Sequence, residues 1–219
     1  MTLRLSTLLG LLLIGATPGS AQDSRVGFPF GSVVVVLPAQ ATEPLPGGAW
    51  PGRAATAEEA LRTLDAELEF ALSDRRGAEN WAMPSELRRR VERNPILAVN
   101  PDRLAFQGLL KRPDPRDQIY EPLHGELRTL AALFGTRYLM LPLVLQVEQV
   151  SPAEPDEPDD GLACLNDEPG HRAVLLVAFI DIRRSAVIWH GTVRGAAVCP
   201  ESGALLASLA TIIAREIVN

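Results

Sequence analysis

The sequence predicts an α/β (α+β-like) fold, a single three-layer or two-layer domain built on a mixed sheet. Three observations carry this. Ser32-Val33-Val34-Val35-Val36-Leu37 is an unbroken, mostly β-branched run ended by Pro38. Apolar residues recur at helical spacing over 56–77, over 122–134 and after Pro200. Residues 173–195 read as a β-hairpin that precedes the last of these helices. A strand without alternation is buried on both faces, so 32–37 is placed centrally and covered by helices.

Each element has its own reason. Residues 38–55 are rich in proline, glycine and alanine and read as a loop. Thr56-Ala57-Glu58-Glu59 fits a capping box, in which hydroxyl and carboxylate satisfy free amide donors. Leu61, Leu64, Leu68, Ala71 and Leu72 then share one helix face. Arg75-Arg76-Gly77 closes that helix with cations near its negative end and a glycine stop. A short basic helix follows from Ser85 to Arg93. Its Arg88, Arg89, Arg90 and Arg93 form the most positive patch of the chain, a candidate surface for a partner or a phospholipid headgroup. The plainer reading is a solvated helix face.

Asn100-Pro101 reads as an N-cap followed by proline at the first helical position. It predicts a helix carrying Leu104, Phe106, Leu109 and Leu110. Pro113 and Pro115 mark a loop. The next helix turns Leu123, Leu127, Leu130 and Phe134 inward and stops at Gly135. Tyr138 to Val150 is strand-like, and Pro142 within it implies an edge position or a bulge. Residues 151–162 form an acidic, proline-rich loop. Glu154, Asp156, Glu157, Asp159 and Asp160 are dense oxygen ligands for calcium, but their spacing is not that of an EF-hand, and a solvated excursion is expected.

In the hairpin, a turn at Arg184-Ser185 sets Ile182 opposite Val187 and Ile180 opposite Trp189. Val174, Leu176, Ala178, Ile180, Ile182, Val187, Trp189 and Val193 then line one face. Leu175, Val177, Phe179 and Asp181 share the other with Ile188, His190, Thr192 and Arg194, and that face is expected to be mixed and less buried. Leu205, Leu206, Leu209, Ile212, Ile213 and Ile217 form the apolar stripe of the final helix.

The beginning of the chain predicts export. A short basic start leads into an apolar run from Leu8 to Ile14, then Pro18-Gly19-Ser20-Ala21. This is the layout of a signal peptide over residues 1–21, cleaved between Ala21 and Gln22. The apolar core is too short to span a membrane, and no lipid-anchoring cysteine follows it. Residues 22–31 are then a mobile lead-in, 32–219 one α/β domain, and the location periplasmic or secreted. The formal net charge of −6 over 219 residues argues against a nucleic-acid partner. In an oxidising compartment Cys164 and Cys199, flanking the hairpin, are expected to pair; two buried thiols are the alternative.

No constellation of residues announces chemistry. His124, His171 and His190 lack metal-ligand neighbours at helical or hairpin spacing, so no metal or other cofactor is expected. Glu126 lies on a different helix face from His124, and His190 is placed beside Phe179 as a packing residue. There is no Gly-x-Ser-x-Gly elbow; Ser202-Gly203 reads as a helix start. Asp65 and Glu67 face apart on their helix. Asp181, beside the hairpin turn, is expected to satisfy turn amides.

Two stretches carry a resemblance. Leu133-Phe134-Gly135-Thr136-Arg137-Tyr138-Leu139-Met140 leads a helix into a strand, and Asp181-Ile182-Arg183-Arg184-Ser185-Ala186-Val187-Ile188-Trp189 forms the hairpin turn. Over roughly 32–38 and 123–218 the chain resembles a group of exported bacterial envelope proteins. The group comprises the curli-secretion pore lipoprotein family, the outer-membrane lipoprotein activators of penicillin-binding proteins, and the amino-terminal domain of the Tol-system propeller protein. The chain departs from them at Arg184-Ser185, where they carry threonine-glycine, and in lacking the anchor cysteine. The resemblance implies a non-enzymatic envelope protein that binds protein partners. An exported, non-catalytic periplasmic interaction module is therefore the expected function. The alternative is an exported hydrolase or small-ligand-binding protein with a dispersed site, in which His190, Asp181 or Arg194 would converge on one deep pocket.

Overall fold

A computed structural model describes residues 32–43, 56–73, 75–110, 118–150, 170–199 and 204–217. The expected signal peptide, the lead-in 22–31, the acidic loop 151–162 and Cys164 lie outside these residues. In chain order the elements are β1 (Val34–Val36), β2 (Ala41–Thr42), α1 (Ala57–Ser73), β3 (Trp81–Ala82), α2 (Pro84–Glu92), α3 (Gln107–Leu110), α4 (Leu123–Phe134), β4 (Tyr138–Val150), β5 (Gly170–Asp181), β6 (Ala186–Arg194) and α5 (Leu205–Ile217).

One mixed six-stranded sheet organises them. Its order is β3-β1-β4-β5-β6, with β2 paired to β4. β1 runs parallel to β3 and β4, whereas β4, β5 and β6 are antiparallel. The expected central strand is central: Val34, Val35, Val36 and Leu37 are fully buried. Their side chains alternate between two cores. Val34 and Val36 meet Leu64 and Leu68 of α1 and Leu209 and Ile213 of α5. Val35 and Leu37 meet Leu87 of α2 and Leu127 and Leu130 of α4. The layers are thus helices, sheet, helices. Each such side chain contributes roughly 1.5–3 kcal/mol on burial, which is why a run without polar positions belongs here.

Helix ends follow the sequence closely. Glu59 N–H donates to Thr56 Oγ1 (3.1 Å), the expected cap of α1. Gly135 ends α4 in the left-handed region (φ 60°), its N–H turned back to the carbonyls of Ala131 and Ala132. No described helix is long and apolar enough to cross a membrane.

Two expectations need correction, and for Pro142 the structure decides between the two alternatives. Asn100-Pro101 does not open a long helix. Asn100 Oδ1 accepts from Asp102 N–H (3.0 Å) and closes a turn. The next amides go to distant side chains instead: Leu104 N–H donates to Gln40 Oε1 (2.8 Å) and Ala105 N–H to Glu126 Oε2 (2.9 Å). Only the four-residue α3 becomes helical. Pro142 is not on an edge strand, since β4 lies between β1 and β5; a bulge between Pro142 and Val144 accommodates its missing donor.

The hairpin register also differs. Asp181 pairs with Ala186, so the turn is Ile182–Ser185 rather than Arg184-Ser185 alone. Val187 pairs with Ile180, and a bulge then sets Trp189 opposite Phe179. One extra residue reverses the parity of all that follows. Val187 therefore faces the α4 core while Trp189 faces the α1–α5 core. The face expected to be mixed is deeply buried: Leu175, Val177 and Phe179 have no exposure. His190 stands opposite Ala178, not beside Phe179.

Candidate functional site

The four arginines of α2 and its C-cap divide into two pairs. Arg88 turns inward and bridges Asp65 of α1 and Asp102, donating to Asp102 Oδ1 from Nε (2.9 Å) and NH2 (2.6 Å). Asp65 is buried, and its Oδ1 also accepts Ala39 N–H (2.9 Å). This junction ties α1, α2, the segment after β1 and the turn at Asp102 together. Burial pushes the Asp65 carboxyl up to about 6, against the lowering effect of Ala39 N–H and Arg88. Burial also opposes the Arg88 charge, but hydrogen bonds to Asp102 and Asp65 outweigh it and raise its pKa. For the acid, desolvation wins because it is the deeper of the two groups.

Arg90 is committed as well. It pairs with Glu86 (2.7 Å), donates to the Leu133 carbonyl (2.8 Å) and lies 4.0 Å above the Phe134 ring. Arg89 and Arg93 are exposed, and neither forms an ion pair among the described residues. They lie one helical turn apart, close in sequence to Ile96, which is 95% exposed.

The three residues named for a dispersed pocket do not meet. Asp181 is buried under Arg137, which donates to both carboxylate oxygens (2.8 Å at Oδ1). Its Oδ1 also accepts the N–H groups of Arg183 (3.1 Å) and Arg184 (3.3 Å), the turn role expected of it. The Arg137 guanidinium holds its carboxyl below the usual aspartate range, against the opposing effect of burial. Arg194 stands 4.0 Å from Glu148. Only His190 reaches a cavity, a space of about 330 Å³ between β4–β6 and the segment leading into α4. Leu109, Leu123, Leu143 and Leu176 make its wall apolar; Gln118 and Glu121 also line it.

A second polar cluster adjoins this cavity. Ser185 Oγ lies 2.9 Å from His124 Nε2, and His124 Nδ1 lies 3.3 Å from Glu121 Oε1. Glu121 Oε2 accepts the Gly125 N–H (3.0 Å). Sequence reasoning compared His124 with Glu126 and missed this set. The i,i+3 spacing of Glu121 and His124 was visible, but Ser185 is 61 positions away. Cys199 is not a free thiol, while Cys164 lies outside the described residues.

Helices on both faces of a mixed sheet define the class of fold. No protein-family model and no curated protein matches the chain. Among solved structures it is similar to the PelC dodecamer from Paraburkholderia phytofirmans, at 14% identity over 94% of this chain and 96% of that one, with a TM-score of 0.35. It is similar to the C-terminal domain of LpoB from Salmonella enterica, at 16% identity over 80% and 87%, with a TM-score of 0.39. It is similar to lipoprotein GNA1162 from Neisseria meningitidis, at 13% identity over 84% and 96%, with a TM-score of 0.37.

Proposed function

We propose that this chain is an exported interaction module of the bacterial envelope. In this reading residues 1–21 are removed, and 32–219 act as one unit in the periplasm or outside the cell, holding a protein partner. The observation that carries it is the outer face of α2. Among the described residues Arg89 and Arg93 have no carboxylate partner, and they stand next to a turn that presents Ile96 to solvent. Arginine beside exposed apolar surface is a favourable contact composition. In an acidic chain such a face suits an acidic partner with an apolar recess.

The Cys164–Cys199 bridge belongs to the same reading, since an oxidising compartment would close it. The test is capture from periplasmic extract by the tagged, exported protein and by R89E/R93E. Arg88 and Arg90 stay untouched because they serve the fold. A partner captured by the parent and lost by the variant, with equal melting temperatures, supports the reading. Equal capture by both removes this face from it.

A further inference from the structure

The Ser185–His124–Glu121 cluster has a chemistry that interaction with a partner does not use. We propose that it is a nucleophile–base–acid site that hydrolyses esters of small apolar acyl groups. This goes beyond the interaction reading and does not depend on it.

The polarity of the cluster is set by elementary chemistry. Ionised Glu121 can only accept, so the His124 nitrogen facing it at 3.3 Å carries the proton. Nε2 then holds a lone pair, and Ser185 Oγ–H donates to it at 2.9 Å. That is the tautomer a general base needs. Glu121 is itself oriented, because its second oxygen accepts Gly125 N–H at 3.0 Å. Each side chain thus fixes the next, as in other activated-serine arrangements.

Two further observations separate this cluster from a simple clasp. Ser185 has φ 51°, the one non-glycine residue in the left-handed region among the described residues. A β-carbon makes that conformation costly, and such strain concentrates at functional sites. The hairpin turn is also already docked without the side chains. Ile119 N–H donates to Ser185 O (2.8 Å), and Gln118 forms a bridge with Ala186. The Oγ–His124 contact is not needed to hold the turn in place.

The substrate class follows from the adjoining cavity. Of the cluster, Glu121 lines the 330 Å³ space, together with Ile119, which bonds to Ser185 O, and Val187, two residues after Ser185; the Leu123, Leu143 and Leu176 wall of this space suits a small apolar acyl group. Gln118 lines the same space and pairs with Ala186, next to Ser185, so its side-chain amide is the candidate donor to a developing oxyanion.

The reaction balances with water alone. Ser185 Oγ bonds to the ester carbonyl carbon as its proton passes to His124 Nε2. The carbon–oxygen bond to the alcohol then breaks, and His124 returns the proton to the leaving oxygen. A water molecule gives its proton to His124 and attacks the acyl-serine. The Oγ–carbon bond breaks, releasing the carboxylic acid, and Ser185 regains its proton.

The test uses a fluorophosphonate probe and p-nitrophenyl butyrate on the exported protein. We expect one phosphonyl adduct, mapped by peptide mass to Ser185 and absent from S185A. We expect butyrate ester hydrolysis to fall by about 10²-fold or more in S185A and H124N, with a smaller loss in E121Q. Absence of an adduct at Ser185 in the parent protein overturns the proposal, whatever the variants do to the fold. So does hydrolysis by S185A at the parent rate.

Discussion

Trp189 packs on Phe179 across the β5–β6 pair, with ring centroids 5.7 Å apart, and its indole covers Gly191 so closely that a β-carbon there would stand 2.6 Å from the ring. Phe179 also meets Trp81 edge-on at 6.4 Å, so three aromatic rings share this end of the α1–α5 core. Gly191→Ala must push the indole off Phe179. It is expected to cost about 1–3 kcal/mol, the usual penalty for overpacking, read as a lower denaturant midpoint and altered tryptophan fluorescence. An unchanged midpoint would mean that the ring has room to move.

Asp65 predicts how stability depends on pH. Its folded pKa is raised from 3.8 to about 6. Over that interval the folded protein keeps a proton that the unfolded chain has lost. The resulting stabilisation is full below pH about 4 and disappears as pH rises through about 6. Asp65→Asn does not titrate. Its melting temperature should therefore rise relative to the parent between pH 4 and pH 7. Parallel profiles for the two proteins would contradict this assignment.

Asp181 behaves in the opposite sense. Arg137 holds its folded pKa below the usual value, so its contribution is present above the unfolded pKa and lost as pH falls through the folded one. Asp181→Asn keeps an acceptor for the turn amides but loses the ionic pair with Arg137. At neutral pH it should cost about 1–3 kcal/mol, with the difference from the parent narrowing in acid. Chemical unfolding at two pH values measures both effects.

The proposed cysteine bridge is checked by mass. Non-reducing mass measurement of exported protein should find no free thiol, and a mass with two thiols refutes the Cys164–Cys199 pairing. Cys199→Ser should lower stability by about 3–4 kcal/mol through loss of the loop constraint on the unfolded chain.

Much of the scaffold was legible because its signals are local. The unalternating run at Val34–Val36 could only be a strand buried on both faces, and Thr56 with Glu59 marked a helix start through an amide a few atoms away. Gly135 marked a helix stop because left-handed backbone favours glycine. The site was legible only to the extent that it was local. Glu121 and His124 share a helix start, but no spacing rule links them to Ser185.

The unread part has a common cause. Both faces of β5 are apolar, so the pattern of Leu175, Leu176, Val177 and Ala178 contains no phase, and the bulge before Trp189 could not be inferred from it. Asn100-Pro101 has a helix-start signature, yet Gln40 supplies a better placed acceptor from 64 positions away. Alone, the sequence determined the strand at β1, the helices α1, α4 and α5 with their apolar faces, and the long strands β4 to β6, since nearest-neighbour sterics and periodic burial depend on residues within a turn or two. Tertiary structure decided the hairpin's parity, tied Arg88 to buried Asp65 and Arg90 to Glu86 and the Leu133 carbonyl while leaving Arg89 and Arg93 exposed, and brought Ser185 to His124. Those outcomes depend on hydrogen bonds and charges between residues that only a folded chain makes neighbours.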